Sequence, residues 1–284
     1  MEDIDRSSNE TGTLKFGFIA VRHAESEWNA FARKCKSQKK KANNVANQMG
    51  FKPLKPFKDP PITPKGVRQA KKLAVDLSKV IGRIKVILVS PLYRALQTLK
   101  IALDELVKKK VITFEEFNQN TKIICSPLVM PRLTTTPDFP FRFQKAKNIF
   151  LSEDNKNQFN IDFSQVDALV EEHGDLWFLS TIKRYIRPDK KGIPVRLEKL
   201  EQVYSHKSSF IDFCKELYKQ RPKTPDTTTT VADRLSEFSK MIKKDLKELN
   251  EYNLMIVSHG GFIQKYFKIK AASNAKVYKF EKKL

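Results

Sequence analysis

Glycine is scarce in this chain, with nine in 284 residues. That leaves no room for a Gly/Ser linker, and no internal repeat is visible, so arrays and flexibly tethered modules are excluded. Cysteine is scarcer still: Cys35, Cys125 and Cys214 are odd in number, far apart and without a CxxC pair. This excludes a disulfide scaffold or zinc knuckle and fits a reducing compartment. No apolar run approaches the roughly 18 residues that a bilayer needs, and the mean hydropathy is -0.48, so no membrane span is expected. The opening Met1-Glu2-Asp3-Ile4-Asp5 is acidic and lacks an apolar stretch, which predicts no signal peptide and a cytoplasmic location. The four histidines (His23, His173, His206 and His259) form no HxH or HExxH, so neither a metal site nor a metal cofactor is expected. Neither GxGxxG nor GxxxxGK[ST] occurs, which leaves nucleotide loops of those kinds unsupported, and without a GxSxG elbow a serine hydrolase is not expected. Acids are also short: 32 Asp+Glu face 54 Lys+Arg, for a formal net charge of +22.

Hydrophobic residues are not lacking. They make up 40% of the chain, 20 of them Phe, which excludes a disordered polycation and supplies a sizeable core. Leu14 to Val21, Ile84 to Ser90 and Tyr252 to Ser258 are apolar runs that read as buried strands, and Ile123 with Ile124 suggests a short fourth. Helices are predicted from Pro64 to Val80 behind a Thr63 cap, from Arg94 to Val107, from Ile161 to His173, around Ser208 to Lys219 before a Pro222–Pro225 break, from Val231 to Leu249, and after His259 through Tyr266. Strands alternating with helices predict βαβ units: an α/β three-layer sandwich, with a mainly parallel sheet and helices on both faces. The expected organisation is a flexible N-terminus over 1–13, then one domain over 14–284. That domain carries a basic insertion at 33–58 and a cap-like insert at about 126–228.

In open α/β sheets, sites form beyond the carboxyl ends of the strands. The first predicted strand delivers Arg22-His23-Ala24-Glu25-Ser26-Glu27-Trp28-Asn29 there, the second Ser90-Pro91-Leu92-Tyr93-Arg94-Ala95, and the third Ser258-His259-Gly260-Gly261. Together they offer two guanidiniums, two imidazoles, an amide and helix N-terminal N–H groups. Guanidiniums grip phosphate oxygens through a fork of donors, and helix N-termini favour anions. One imidazole can attack phosphorus while the other offsets charge on the phosphoryl oxygens. Each residue alone is as easily structural; three strand ends carrying phosphate-type groups point to a phosphate site.

The segment Arg22 to Asn29 resembles the RHGxSxxN signature of the histidine phosphatase superfamily, in its phosphoglycerate-mutase-like branch. Ile62-Thr63-Pro64-Lys65-Gly66-Val67-Arg68-Gln69-Ala70 is similar to that family's LTxxGxxQA helix start. Ser90 to Thr98 is similar to its SPLxRAxQT motif, and Val257 to Gly261 to its VSHGG motif. The resemblance spans residues 14 to 107 and 229 to 267, with the motifs in the family's order. It implies a phosphoglycerate-mutase-like fold and an enzyme that hydrolyses a phosphate monoester through a phosphohistidine on His23. Arg22, Arg94 and His259 would hold the phosphoryl group, with Asn29 and Gly260 lining the same pocket. No metal or organic cofactor is implied; the partner is a phosphorylated small molecule or phosphoprotein.

Two departures from the family pattern bear on activity. Ala24 replaces the glycine after the nucleophile, and Pro131 stands where the family's acidic Glu would sit, in Leu128-Val129-Met130-Pro131-Arg132-Leu133. Proline cannot donate a proton. Asp138 is the expected substitute acid, though an ordinary turn before Pro140 would also explain it; Glu25, next to the nucleophile, is a further candidate. Two alternatives follow: a weakly catalytic phosphate-binding or scaffold protein, and a phosphoglycerate-type mutase.

From Arg33 to Lys58 there are nine Lys/Arg and no acid. With the prolines that follow, this reads as an irregular basic segment: either a solvated surface loop, or one that overhangs the pocket and attracts polyanionic substrate. No recognisable nucleic-acid module accompanies it. Neutralising Lys39, Lys40 and Lys41 separates the two readings. Steering predicts a severalfold greater loss of kcat/KM on polyphosphorylated than on monophosphorylated substrates, deepest at low salt; a solvated loop predicts equal losses or none.

Overall fold

In the computed structural model the three long apolar runs become neighbours at the centre of one sheet. The structure describes residues 15–38, 59–133, 136–140, 142–150, 158–174, 177, 178, 181, 234, 236–241 and 253–283. The strands are β1 (Lys15–Arg22), β2 (Val86–Val89), β3 (Lys122–Cys125), β4 (Ile161–Asp162), β5 (Leu254–Ser258) and β6 (Val277–Lys283). They lie in the order β4-β3-β2-β5-β1-β6. All neighbours run parallel except β6, which pairs antiparallel with β1.

Burial on both faces explains why these strands read as continuous apolar runs rather than alternating ones. Ile19, Val21, Ile87, Val89, Met255 and Val257 point to one face, where they meet Leu73 and Leu77 of α2 (Pro64–Leu77) and Leu96, Leu99 and Leu103 of α3 (Tyr93–Lys108). Phe18, Ala20, Leu88, Leu254 and Ile256 point to the other. There they pack on Phe238 and on Phe262 and Ile263 of α7 (Gly260–Phe267). Further helices among the described residues include α1 (Glu27–Ser37), α4 (Phe114–Asn120), α5 (Phe143–Asn148) and α6 (Ser164–His173). The result is the three-layer α/β sandwich expected from the alternation of strands and helices.

Several boundaries differ from the sequence reading. Helix α1 runs to Ser37, so the first residues of the basic 33–58 segment are helical; Ser26 caps it and Asn29 completes a capping box. The helix expected from Ile161 begins only at Ser164, because Ile161 and Asp162 pair with β3 as a sheet edge. Of the helix expected from Val231 to Leu249, residues 236 to 241 are helical. The N-terminus over 1–13, most of 33–58, the helix around Ser208 to Lys219 and the Pro222–Pro225 break lie outside the described residues. Within 126–228, the described aromatics Phe139, Phe143, Phe150, Phe163 and Trp177 join the same core as α2 and α3, with Phe143 5.8 Å from Trp177 and Phe139 stacked on Phe178 at 5.2 Å. Each such ring contributes about 2 kcal/mol of burial.

The start of α2 is fitted to the chain that follows β1. Thr63 caps it, accepting from Gly66 N at 3.0 Å, and Thr63 N donates to Glu25 O at 2.9 Å. A Cβ on Gly66 would lie 2.3 Å from Glu25 O, a backbone atom that cannot move aside alone. Gly66→Ala is therefore expected to destabilise the fold by about 2 kcal/mol or more, read from urea denaturation.

Candidate active site

The site is set by which strands are neighbours. β5 lies between β1 and β2, and the three run parallel, so the residues after these strands emerge side by side at the carboxyl end of the sheet. The ladder continues past the strands: His23 N donates to Ser258 O at 2.9 Å, and Ser90 N to Val257 O at 3.0 Å. His259 is thereby flanked by His23 on one side and Ser90 on the other. Arg22 ends β1, and Arg94 is the second residue of α3.

The side chains converge. His23 and His259 have ring centroids 5.0 Å apart, and both are buried. His23 Nδ1 lies 2.7 Å from Ala24 O. A carbonyl only accepts, so Nδ1 holds the proton and Nε2 presents its lone pair, which meets Arg94 Nε at 3.2 Å. His259 Nε2 lies 2.8 Å from Ser90 Oγ. With Ser90 donating there, His259 Nδ1 carries the proton. Arg22 Nη1 donates to Ala272 O at 2.6 Å. Arg22 Nε and His259 Nδ1 are buried without a hydrogen-bond partner among the described residues. Two orphaned donors beside one imidazole lone pair are suited to an oxyanion.

Burial, with Arg94 and Arg22 close by, pushes the pKa of His23 well below the usual imidazole value. His259 is lowered in the same way, by burial first and then by Arg94, His23, Arg22 and Arg234. Both rings are neutral at neutral pH, so the His23 lone pair is available there.

The expected site residues divide. Arg22, His23, Arg94 and His259 are brought together. Gly260 opens α7 against Arg22: a Cβ there would lie 3.2 Å from Arg22 Nε, so the glycine lets the guanidinium lie along the helix start. Asp138 reaches the cluster through Arg94, its Oδ1 3.4 Å from Arg94 Nη2, while Pro137 O accepts from Arg94 Nη1 at 2.5 Å. Asn29 spends its Oδ1 on Ser26 N at 3.2 Å and on Asn274 Nδ2 at 3.3 Å. Glu25 turns to the α1–α2 junction, where its carboxylate meets Arg33, Lys65 and Thr63. Pro131 offers its carbonyl to Arg234 Nη2 at 3.2 Å. Among the described residues no group of three or more His, Cys, Asp or Glu stands ready to hold a metal ion.

Other residues that hold this arrangement were not singled out from sequence. Ala24 N donates to Thr98 Oγ1 at 2.9 Å, Glu25 N to Gln69 Oε1 at 2.8 Å, and Ile62 N to Gln97 Oε1 at 3.0 Å. Asn274 Nδ2 donates to His23 O at 2.8 Å. Asp59 and Arg234 are buried charges near Arg94 and His259. The QA and QT endings of two motifs were the available signal: both place amides or hydroxyls where they fix the backbone after His23.

Fold and site together define an α/β protein with paired imidazoles and guanidiniums at the carboxyl end of a mainly parallel sheet. Residues 18–119 match the model of the histidine phosphatase superfamily (branch 1). This is the family that the motif series resembles, and the match supports a phosphatase or mutase enzyme in general terms, with a phosphorylated substrate. No curated protein matches the chain. Among solved structures, a phosphoglycerate mutase from Bacillus anthracis is 14% identical with a TM-score of 0.43, over 95% of this chain and 89% of that one. A mycobacterial glucosyl-3-phosphoglycerate phosphatase is 10% identical with a TM-score of 0.42, over 93% and 89%. A phosphoserine phosphatase from Entamoeba histolytica is 16% identical with a TM-score of 0.36, over 93% and 90%. No helix among the described residues is long and apolar enough to cross a membrane.

Thr98 is the most exacting of the supporting contacts, because it also donates to Arg94 O at 2.7 Å and is fully buried. Thr98→Val leaves Ala24 N unsatisfied and is expected to cost about 1–3 kcal/mol in thermal unfolding. Thr98→Ser, which keeps the oxygen, is expected to lose clearly less.

Proposed function

We propose that the protein is a phosphoric-monoester hydrolase that works through a phosphohistidine on His23. The observation that carries this reading is the polarity of the His23 ring: Nδ1 donates to Ala24 O, and Nε2 faces Arg94 inside a buried cluster with His259.

In the first step the Nε2 lone pair forms a bond to phosphorus as the ester P–O bond breaks. Ala24 O accepts from Nδ1–H throughout and offsets the positive charge that the ring acquires. Arg22, Arg94 and the Nδ1–H of His259 hold the phosphoryl oxygens, whose charge they neutralise without reorganising. The departing oxygen needs a proton, and Asp138 is the carboxyl nearest to hand. In the resting pocket Asp138 is paired with Arg94. That pairing holds the Asp138 carboxyl beside the guanidinium that grips the phosphoryl group. In the second step water attacks phosphorus and gives its proton to the Asp138 carboxylate. The P–N bond then breaks, its electron pair returns to Nε2, and inorganic phosphate leaves.

Pro131, in place of the family's acid, favours a second reading: a protein that binds phosphate and turns it over slowly. The leaving group separates the two. His23→Ala is expected to lower kcat/KM on p-nitrophenyl phosphate by about 10³-fold or more, and to abolish an acid-labile phosphoprotein trapped from the wild type. Full activity in that variant, with nothing trapped, overturns the mechanism. Asp138→Asn is expected to cost about 10²–10⁴-fold on alkyl phosphates and little on the nitrophenyl ester, whose leaving group needs no proton. A wild type that hydrolyses only the activated ester supports the slow-turnover reading.

A further inference from the structure

Asp59 is an unexpected place for a carboxylate. It is fully buried, and its φ of 43° puts it in the left-handed region that few residues other than glycine accept. Both features cost stability, so its contacts must hold it there. Oδ1 accepts from Tyr93 N at 3.1 Å and Oδ2 from Arg142 N at 3.3 Å. Oδ1 also lies 3.9 Å from Arg94 Nη1.

These contacts join three parts of the site. Tyr93 opens α3, whose N-cap residue Leu92 makes no side-chain cap. Asp59 supplies the missing acceptor from 34 residues away and complements the helix dipole. Arg142 follows the turn that carries Pro137 and Asp138, both of which contact Arg94. One carboxylate therefore ties the helix that bears Arg94, the guanidinium itself and the segment that bears Asp138.

We propose that Asp59 is a positioning residue: from behind, it fixes the Arg94 guanidinium in the orientation that grips an oxyanion. Being enclosed, it does not touch substrate and acts through Arg94. The proposal rests on the reading of this pocket as a phosphoryl site.

The ionised carboxylate accepts from both backbone N–H groups and forms an ion pair with Arg94; protonation removes that ion pair and weakens both acceptors. Burial pushes the Asp59 pKa up to about 7, against the opposing pull of Arg94, the two N–H donors and the Arg142 charge. Among the described residues, the other charged or titratable groups facing these elements include Asp138, His23, His259 and Arg22, all close to Arg94, and Lys145 over the Tyr93 ring. As pH rises through about 7, Asp59 ionises and takes hold of Arg94. A pure charge effect works the other way: a new negative charge repels an anion.

Tungstate tests the sign, since at low concentration it remains a dianion across neutral pH and its own protonation does not intrude. Calorimetry on the full-length wild type is expected to show binding that tightens by about tenfold as pH passes through about 7. Asp59→Asn should lose that pH dependence and bind about tenfold more weakly above it, with a matching loss in kcat/KM on p-nitrophenyl phosphate. In an Arg94→Ala background, Asp59→Asn should change tungstate affinity by less than about twofold, because the group it orients is gone. Thermal unfolding of each variant checks its fold; should Asp59→Asn not fold, the wild-type pH dependence decides alone. Tungstate binding that weakens as pH rises, an Asn variant equal to wild type, or full additivity with Arg94→Ala overturns the proposal. If His23→Ala stays active while the tungstate results hold, the phosphohistidine reading falls and the Asp59 assignment stands. Failure of the wild type to bind tungstate at any pH overturns both.

Discussion

A buried guanidinium organises this site. Arg94 is 4% exposed and spends its donors on His23 Nε2, Pro137 O and Asp138, with Asp59 behind it. Charge taken out of water must be compensated nearby, so each of these neighbours is held to a narrow geometry. The same burial and charge keep both imidazoles neutral. The placement of Asp138 and of the enclosed Asp59 answers to that desolvated cation, whose charge adds to the rings' own burial in lowering both imidazole pKa values.

The backbone around His23 is fixed by contacts that are remote in sequence. Thr98 holds Ala24, Gln69 holds Glu25, and Asn274 holds His23 O. Each comes from a different element: α3, α2 and the loop before β6. A candidate nucleophile on a turn anchored from three directions keeps its ring aimed without help from substrate. Gly66 and Gly260 serve the same end by omission, one letting α2 close on Glu25 O and the other letting Arg22 lie along α7.

How much of this could be read from the chain depends on where each signal resides. The central strands were legible because both of their faces are buried, which leaves runs such as Ile87-Leu88-Val89 apolar throughout. Their ends carried charged motifs, so Arg22, His23, Arg94 and His259 could be placed together before any coordinates. β6 escaped because it is an edge strand of mixed character, with Lys279 among its aromatics. β4 escaped because two residues carry no period. Asp59, between a basic segment and two prolines, carries no signal of its own in the sequence; its contacts are with Tyr93 and Arg142, 34 and 83 residues away. Asn29, expected in the pocket from the family resemblance, completes the α1 capping box and contacts Asn274, while Glu25, a candidate acid by adjacency to His23, meets Arg33, Lys65 and Thr63. Adjacency along a turn is a weak guide to direction in space.

The net charge of +22 invites an explanation of anion binding by bulk attraction, and the local balance argues against that. Around His259 stand three guanidiniums, Arg22, Arg94 and Arg234, whose fields all lower its pKa. Two carboxylates, Asp59 and Asp138, pair with Arg94. Among the described residues the guanidiniums are thus partly compensated rather than bare. Surface lysines lie across water, where charges beyond about 8 Å are largely screened at physiological salt. The buried guanidiniums have no such screen. An arriving dianion is therefore met by partly compensated guanidiniums, two of them, Arg94 and Arg234, buried, and exposed lysines bear on the rate of encounter more than on the grip.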